Sequence, residues 1–277
     1  MAEKDTPFDK AARFAAQLEP VEFLSWLLDL PAAAVGFTSW LDTRTIPFPG
    51  EPDRVGDAVA RLDPPGGTEP PWALALEFQI EPDPLMFGRL LGYLSRLWVQ
   101  LKPDAERGSR FQVGAVVVNL TGTGRASREM RLPGTAVVTQ LSVAERNLAR
   151  ESAGDMLVRV EAGAAGRSLL PWLPLMSGGA EATIIERWKR LAESEPLSRR
   201  RSELAGLALV LAEAADCREA WERGLEGWNV RESVVVNRWI DEGRAEGQAA
   251  ALLAVLEAKF QTVPDDLAAA IRATADL

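Results

Sequence analysis

Three side chains in the first third of the chain combine types that could carry out hydrolysis. Asp57 precedes a segment over residues 72–80, in which the carboxylate of Glu77 comes two residues before the carboxamide of Gln79. Two carboxylates can hold a divalent cation, which neutralises a phosphate and activates a water molecule. This combination predicts metal-dependent cleavage of phosphodiester bonds. From the residues alone, two solvated surface acids are the commoner explanation.

The segment that carries Glu77 and Gln79 alternates between two kinds of side chain. Large apolar residues occupy every second position from Leu74 to Ile80, and the positions between them carry alanines and then Glu77 and Gln79. Because successive side chains of a strand point to opposite faces, this pattern predicts a β-strand. The carboxylate and the carboxamide then share one face at the end of that strand.

The amino-acid composition restricts the chemistry that the chain can use. It contains no histidine and one cysteine, Cys217. Histidine-based catalytic triads, histidine-based zinc sites and thiolate metal clusters are therefore excluded. A metal ion must be held by oxygen ligands, which selects Mg²⁺, Mn²⁺ or Ca²⁺. The net charge of −9 argues against broad nonspecific affinity for nucleic acids, although it allows a local basic groove.

Other features predict a cytoplasmic protein that does not associate with membranes. No apolar run approaches the ~18 residues of a membrane-spanning helix. The first residues lack the basic and apolar stretches of a signal peptide. One cysteine cannot form an internal disulfide, which fits a reducing compartment. We expect no small-molecule cofactor.

The pattern along the chain predicts the elements that would position these side chains. In order, they are a helix over residues 7–30, strands over 37–46, 57–62 and 72–80, a helix over 84–101, and strands over 111–120 and 135–141. Pro20 interrupts the first helix, Ser142 and Glu145 form a capping-box pattern that predicts a short helix, and the chain is helical after Pro174. We therefore expect an α/β sheet flanked by helices, with a helical C-terminal region. Four tryptophans among aliphatic residues are expected in the core: Trp26, Trp98, Trp188 and Trp239.

The predicted helix over residues 84–101 carries a basic stripe. Arg89, Tyr93 and Arg96 recur at spacings of four and three residues, so they share one face of the helix. This face either receives nucleic-acid phosphates or is the polar side of an amphipathic core helix.

Three motifs follow one another in a fixed order. Asp57 lies in Arg-Val-Gly-Asp-Ala-Val-Ala-Arg-Leu, Glu77 and Gln79 lie in Leu-Glu-Phe-Gln-Ile-Glu-Pro-Asp, and Arg89-Leu-Leu-Gly-Tyr93 comes next. This ordered set resembles the PD-(D/E)XK nuclease superfamily, and more specifically the bacterial Rpn family of recombination-promoting nucleases and transposase-like proteins. The resemblance covers most of the chain and is strongest over residues 50–120 and from residue 232 onward.

The resemblance implies a restriction-endonuclease-like domain over residues 1–180, a mixed sheet flanked by helices, and a helical C-terminal region over residues 181–277. It implies an Mg²⁺-dependent DNA endonuclease, in which Mn²⁺ can substitute. Asp57 and Glu77 would be the metal ligands and, together with Gln79, the catalytic residues. The wider superfamily has lysine where this chain has Gln79, a neutral amide that can orient water or phosphate but cannot act as a base.

The resemblance also implies DNA as the partner, with Arg89, Tyr93 and Arg96 as its contacts. In the C-terminal tail, Gly243 and Gly247 give a small-residue face that could pair helices within one chain or between two chains. The small-residue face therefore allows a homodimer or helix pairing within a single chain. The alternative function is a catalytically inactive module of the same fold that binds nucleic acid or protein, as the acidic net charge and the missing lysine suggest.

Other acids compete for places in this site. Asp53 and Asp63 are alternatives to Asp57, although Asp63 precedes a Pro-Pro-Gly-Gly turn. Glu22, on the first predicted helix, is a candidate for an outer carboxylate, and a surface acid is the commoner explanation for it.

Overall fold

The computed structural model describes residues 7–42, 57–66, 69–104 and 109–228, and the single positions 253 and 256. The chain divides into two compact units, of which the first contains Met1–Ser194 and Leu207–Glu226. The second contains Glu195–Gly206 and Gly227–Leu277. The candidate catalytic and DNA-binding residues all belong to the first unit. The division at residue 180 stays a prediction.

The described residues form seven α-helices; two begin at a proline and a third is capped by the side chain of Ser152. They are α1 Pro7–Leu18, α2 Pro20–Leu28, α3 Met86–Gln100, α4 Ala153–Glu161, α5 Ala182–Glu193, α6 Ser198–Ala214 and α7 Arg218–Gly224, with a 3₁₀ helix over Arg167–Leu175. The predicted interruption at Pro20 is confirmed, because proline has no N–H to continue α1 but fits the first turn of α2. None of these described helices is both long and apolar enough to cross a membrane.

The strands form one mixed sheet and one separate hairpin. They are β1 Phe37–Trp40, β2 Ala58–Leu62, β3 Trp72–Gln79, β4 Gln112–Asn119, β5 Arg128–Arg131, β6 Val138–Leu141 and β7 Ala144–Asn147. The sheet has the order β1-β2-β3-β4-β7, with antiparallel pairing from β1 to β3 and parallel pairing from β3 to β7. The hairpin pairs β5 with β6. An α/β fold with a mixed sheet flanked by helices is confirmed.

The two faces of β3 pack against different partners. On one face, the rings of Phe78, Phe23 of α2 and Trp172 of the 3₁₀ helix pack together with centroids 5.4–6.2 Å apart. On the other face, Ala73 and Ala75 belong to the buried cluster that contains the apolar side of α3. Their small side chains let α3 lie close to the sheet, and the same face carries Glu77 and Gln79 further along the strand.

The short helix predicted from Ser142 and Glu145 is wrong. Residues Ala144–Asn147 form β7, which pairs with β4 in parallel. The Glu145 side chain does not cap a helix, because its two oxygens accept hydrogen bonds from Asn119 Nδ2 and from the N–H of Ala126, both at 3.0 Å. Partners distant in sequence thus override a local capping pattern.

Three smaller differences concern the ends and faces of elements. Helix α3 begins at Met86 and not at Pro84, since Pro84 and Leu85 form a turn that is closed by a bond from the N–H of Met86 to the carbonyl of Asp83. Trp98 is 50% exposed, so its predicted burial is wrong, whereas the burial of Trp26 and Trp188 is confirmed. Strand β1 ends at Trp40. Trp239 and residues 43–46 lie outside the described residues.

Candidate functional site

Asp57 lies directly before β2 and is held against β3. In the antiparallel ladder of these strands Ala58 is opposite Leu76, and Asp57 comes directly before this pair. The N–H of Asp57 donates to the carbonyl of Leu76 at 3.0 Å. Asp57 Oδ2 accepts the N–H of Phe78 at 2.7 Å. This carboxylate is therefore fixed against the strand backbone beside Glu77.

Arg89 connects the end of β3, the loop after it and α3. Its Nη2 donates to Glu77 Oε1 at 2.7 Å, and its Nη1 donates to Asp83 Oδ2 at 2.9 Å. Arg89 Nη2 and Nε also lie 3.2 and 3.4 Å from Tyr93 Oη. Glu77 is only 5% exposed, and a carboxylate this buried needs a compensating charge or hydrogen bonds. Arg89 provides both.

The charges of this cluster are fixed by their neighbours. Burial by itself would lower the pKa of Arg89, but the hydrogen bond to Asp83 and the charge of Glu77 raise that pKa above its usual value. Burial would raise the pKa of Asp83, but hydrogen bonds from Arg89 and from the Leu85 N–H lower it. Arg89 is therefore a permanent cation, and Asp83 is an anion at neutral pH.

Gln79 ends β3 on the same face as Glu77. Its Oε1 accepts the N–H of Asp83 at 2.9 Å. The side chain is 6% exposed, and its Nε2 has no hydrogen-bond partner within the part of the chain that the structure describes. In the parallel ladder of β3 and β4, Gln79 is opposite Asn119.

Asn119 begins a polar network that sequence reasoning missed. Its Nδ2 donates to Glu145 Oε1 at 3.0 Å and to Asn147 Oδ1 at 2.9 Å. Asn147 Oδ1 also accepts the N–H of Gly124 at 2.7 Å, and Glu145 Oε2 accepts the N–H of Ala126. The network therefore fixes the loop between β4 and β5. The available signal was a polar residue that ends an apolar strand at the same edge of the sheet as Gln79.

The predicted DNA contacts on α3 lie in different surroundings. Arg89 is at the site, whereas Tyr93 is 3% exposed and belongs to the buried cluster, where its hydroxyl supports Arg89. Arg96 is half-buried and lies about 10 Å further along the helix axis from Arg89. Of the three, Arg89 is the residue that the structure brings to Glu77.

The competing acids lie away from Glu77. Asp63 follows the far end of β2, where Arg61 Nε donates to it at 3.0 Å and Thr38 also bonds it. Glu22 belongs to α2, which packs through Phe23 on the opposite face of the sheet. Asp53 lies outside the described residues.

The carboxylates match Mg²⁺ in donor type. Asp57 and Glu77 offer hard oxygen ligands, and Mg²⁺ is usually held by one or two carboxylates, with water and substrate phosphate completing the shell. Across the described ranges, no group of three or more aspartates, glutamates or cysteines is placed to hold a metal ion. Asp57 Oδ2 accepts the N–H of Phe78, and Glu77 Oε1 accepts a hydrogen bond from Arg89 Nη2. The donor set therefore fits a cation that keeps most of its water ligands.

Comparisons with models of known protein families, with curated proteins and with solved structures found no match. The resemblance to the Rpn family therefore rests on the motifs of the sequence.

Proposed function

We propose that the protein is an Mg²⁺-dependent DNA endonuclease of the recombination-promoting, transposase-like type. The observation that carries the proposal is the position of Asp57 beside Glu77. Glu77 lies on β3, Asp57 directly precedes the neighbouring strand β2, and the Asp57 carboxylate accepts the N–H of Phe78, the residue after Glu77. Such a pair can hold one cation at the end of a sheet.

The chain's own residues would divide the work around this pair. Asp57 and Glu77 would hold Mg²⁺, or Mn²⁺ in its place, which supplies neutralisation of the phosphate and activation of water. Gln79 lies two residues after Glu77 on β3, and its amide can orient a neutral or charged oxygen by hydrogen bonding. Arg89 keeps a positive charge beside Glu77 and so favours the approach of a phosphate.

Further cations support a polyanionic substrate. Arg125 is exposed in the loop that the N–H groups of Gly124 and Ala126 anchor. Arg128 and Arg131 follow on β5, and the guanidinium of Arg128 lies 5.9 Å from the centre of the Phe87 ring on α3. This local basic stretch, in a protein of net charge −9, offers phosphate contacts next to α3, the helix that carries Arg89.

The second candidate is a nuclease-fold module that binds nucleic acid or protein without cleaving it. The ion pair of Arg89 with Glu77 favours this alternative, because a guanidinium already balances the carboxylate that a metal ion would need. The neutral Gln79 favours it as well, since an amide supplies neither charge nor a base.

A plasmid-nicking assay with Mg²⁺ or Mn²⁺ tests the proposal. We expect the native protein to cleave DNA and the Glu77→Ala variant to lose at least about 100-fold in rate, since removal of one preorganised catalytic group costs this much. The matched control is Glu193→Ala, on an exposed position of α5, which should cleave like the native protein. Cleavage that survives Glu77→Ala would contradict the proposal. Binding of DNA without cleavage would favour the second candidate.

A further inference from the structure

Two buried carboxamides on neighbouring strands each have one end fixed by the protein and the other end unmatched. Gln79 Nε2 is a donor and Asn119 Oδ1 is an acceptor, and neither has a hydrogen-bond partner within the described residues. Gln79 is 6% exposed and Asn119 is completely buried. The parallel register of β3 and β4 makes them neighbours on one face of the sheet.

The orientation of both amides is determined by their partners. The N–H of Asp83 can only donate, so the Gln79 atom that it contacts must be the oxygen. The N–H of Gly124 likewise fixes Asn147 Oδ1 as an acceptor. Asn119 faces this oxygen and the Glu145 carboxylate, so its amino group must point toward them. A flip of either amide would lose these bonds.

Gly124 closes the space over Asn119. A Cβ at this glycine would lie 3.0 Å from Asn119 Nδ2, 3.1 Å from Asn119 Oδ1 and 3.0 Å from Pro82 Cβ. The loop backbone therefore lies directly on the amide of Asn119, with Pro82 beside the same glycine. A buried donor and a buried acceptor beneath such a cover call for a ligand that satisfies both.

We infer that Gln79 and Asn119 together bind one hydroxyl-type oxygen, which accepts a hydrogen bond from Gln79 Nε2 and donates one to Asn119 Oδ1. A water molecule meets both demands. A non-bridging oxygen of an ionised phosphodiester does not, because it has no proton to give to Asn119. This chemistry selects water over phosphate as the ligand of Gln79.

The role of this water rests on the proposed function. Gln79 is two residues from Glu77 on the same face of β3, so the water would share that face with Glu77, and a cation held by Asp57 and Glu77 would activate it. Neither amide can remove a proton, and both act as positioning residues that hold the oxygen and orient its lone pairs. A ribose 2′-hydroxyl has the same hydrogen-bonding capacity, and it is the other source of such an oxygen.

A crystal structure at a resolution that shows ordered water tests the binding itself, whatever the activity. We expect one ordered oxygen within hydrogen-bond distance of both Gln79 Nε2 and Asn119 Oδ1, absent in Gln79→Met. Direct bonding of the two amides to each other, or an empty space between them, would overturn the inference even if the protein cleaves DNA. If the ordered water is present but the protein cleaves no nucleic acid, the binding inference stands. The proposed function, and with it any catalytic role of the water, would then be rejected.

A double-variant cycle tests the positioning role. Asn119→Ala and Gln79→Met should each lower kcat by roughly 100-fold with little change in KM, and the double variant should lose little more, because both hold the same oxygen. Asn147→Ala is the matched control, since it removes the contacts to Asn119 Nδ2 and the Gly124 N–H but leaves the unmatched acceptor. An equal loss of kcat in Asn147→Ala, or additive losses in the double variant, would reduce Asn119 to a structural residue.

DNA and RNA substrates distinguish the two sources of the oxygen. Equal losses on both substrates are expected for a bound water. A loss confined to RNA would assign the site to a ribose 2′-hydroxyl and overturn the assignment to water.

Discussion

The two faces of β3 use the same backbone for opposite purposes. Toward α2 and the 3₁₀ helix, Phe78 packs against the rings of Phe23 and Trp172, and Leu76 is completely buried. Toward α3, two alanines give way to Glu77 and Gln79, which are buried but rely on hydrogen bonds and an ion pair. The first face contributes apolar burial alone, whereas the second combines the apolar cluster around Ala73 and Ala75 with buried polar groups.

The largest effect should come from the aromatic face. Phe78→Ala removes a ring that stacks on Trp172 and packs at a tilt against Phe23, and it should lower the free energy of unfolding by about 3–5 kcal/mol. Glu77→Ala, one residue away on the other face, should cost only about 1–2 kcal/mol, since Arg89 keeps its bond to Asp83. Urea denaturation of both variants measures the difference. If both variants lost the same free energy of unfolding, the aromatic face would not be the main source of stability, contrary to this account.

A smaller effect should appear at acid pH on the α3 face. The pKa of folded Asp83 lies below its usual value of 3.8, so its bond to Arg89 contributes stability that is complete above 3.8. That contribution, about 1 kcal/mol for a partly exposed pair, is lost as the pH falls through the lowered pKa. The free energies of unfolding of the native protein and Asp83→Asn should therefore differ at neutral pH and converge in acid. A difference that grows on acidification would contradict this account.

Much of this arrangement was readable from local sequence patterns, and the part that was not depends on distant partners. The alternation over residues 72–80 predicted β3 and the shared face of Glu77 and Gln79 correctly. Pro20 marked a helix boundary for the same local reason. In contrast, Ser142 and Glu145 matched a helix cap, although the carboxylate bonds residues 19 and 26 positions earlier. No window of neighbouring residues contains those partners.

The candidate site shows the same limit. The sequence indicated Asp57, Glu77 and Arg89 as residues of one site, but helical spacing could not show that Tyr93 is buried behind Arg89. The role of Asn119 required the strand register, because its neighbour Gln79 is 40 positions away. Trp98 looked like a core residue from its aliphatic neighbours, yet it lies on the exposed side of α3. Helix rotation and strand register are set by packing, which local patterns do not encode.

The smallest effects separate two glycines on the α3 side of the sheet. Gly124→Ala should lower the free energy of unfolding by about 1 kcal/mol, since the new Cβ would lie 3.0 Å from Asn119 Nδ2 and Pro82 Cβ. Gly92→Ala, in α3 with no atom within 4 Å of the new Cβ, should raise it by about 0.5–1 kcal/mol. The midpoint temperature of thermal unfolding should therefore fall in Gly124→Ala and rise in Gly92→Ala. A neutral or stabilising Gly124→Ala would show that the loop does not press on Asn119.

Cation binding by Asp57 and Glu77 is the claim on which the account depends most. Titration of the protein with Mn²⁺, followed by calorimetry or by the electron paramagnetic resonance of free Mn²⁺, measures it without reference to cleavage. We predict one Mn²⁺ site per chain in the native protein, strongly weakened in both Asp57→Asn and Glu77→Gln and unchanged in Glu193→Ala. Absence of Mn²⁺ binding in the native protein, or binding that both substitutions leave intact, would contradict the account.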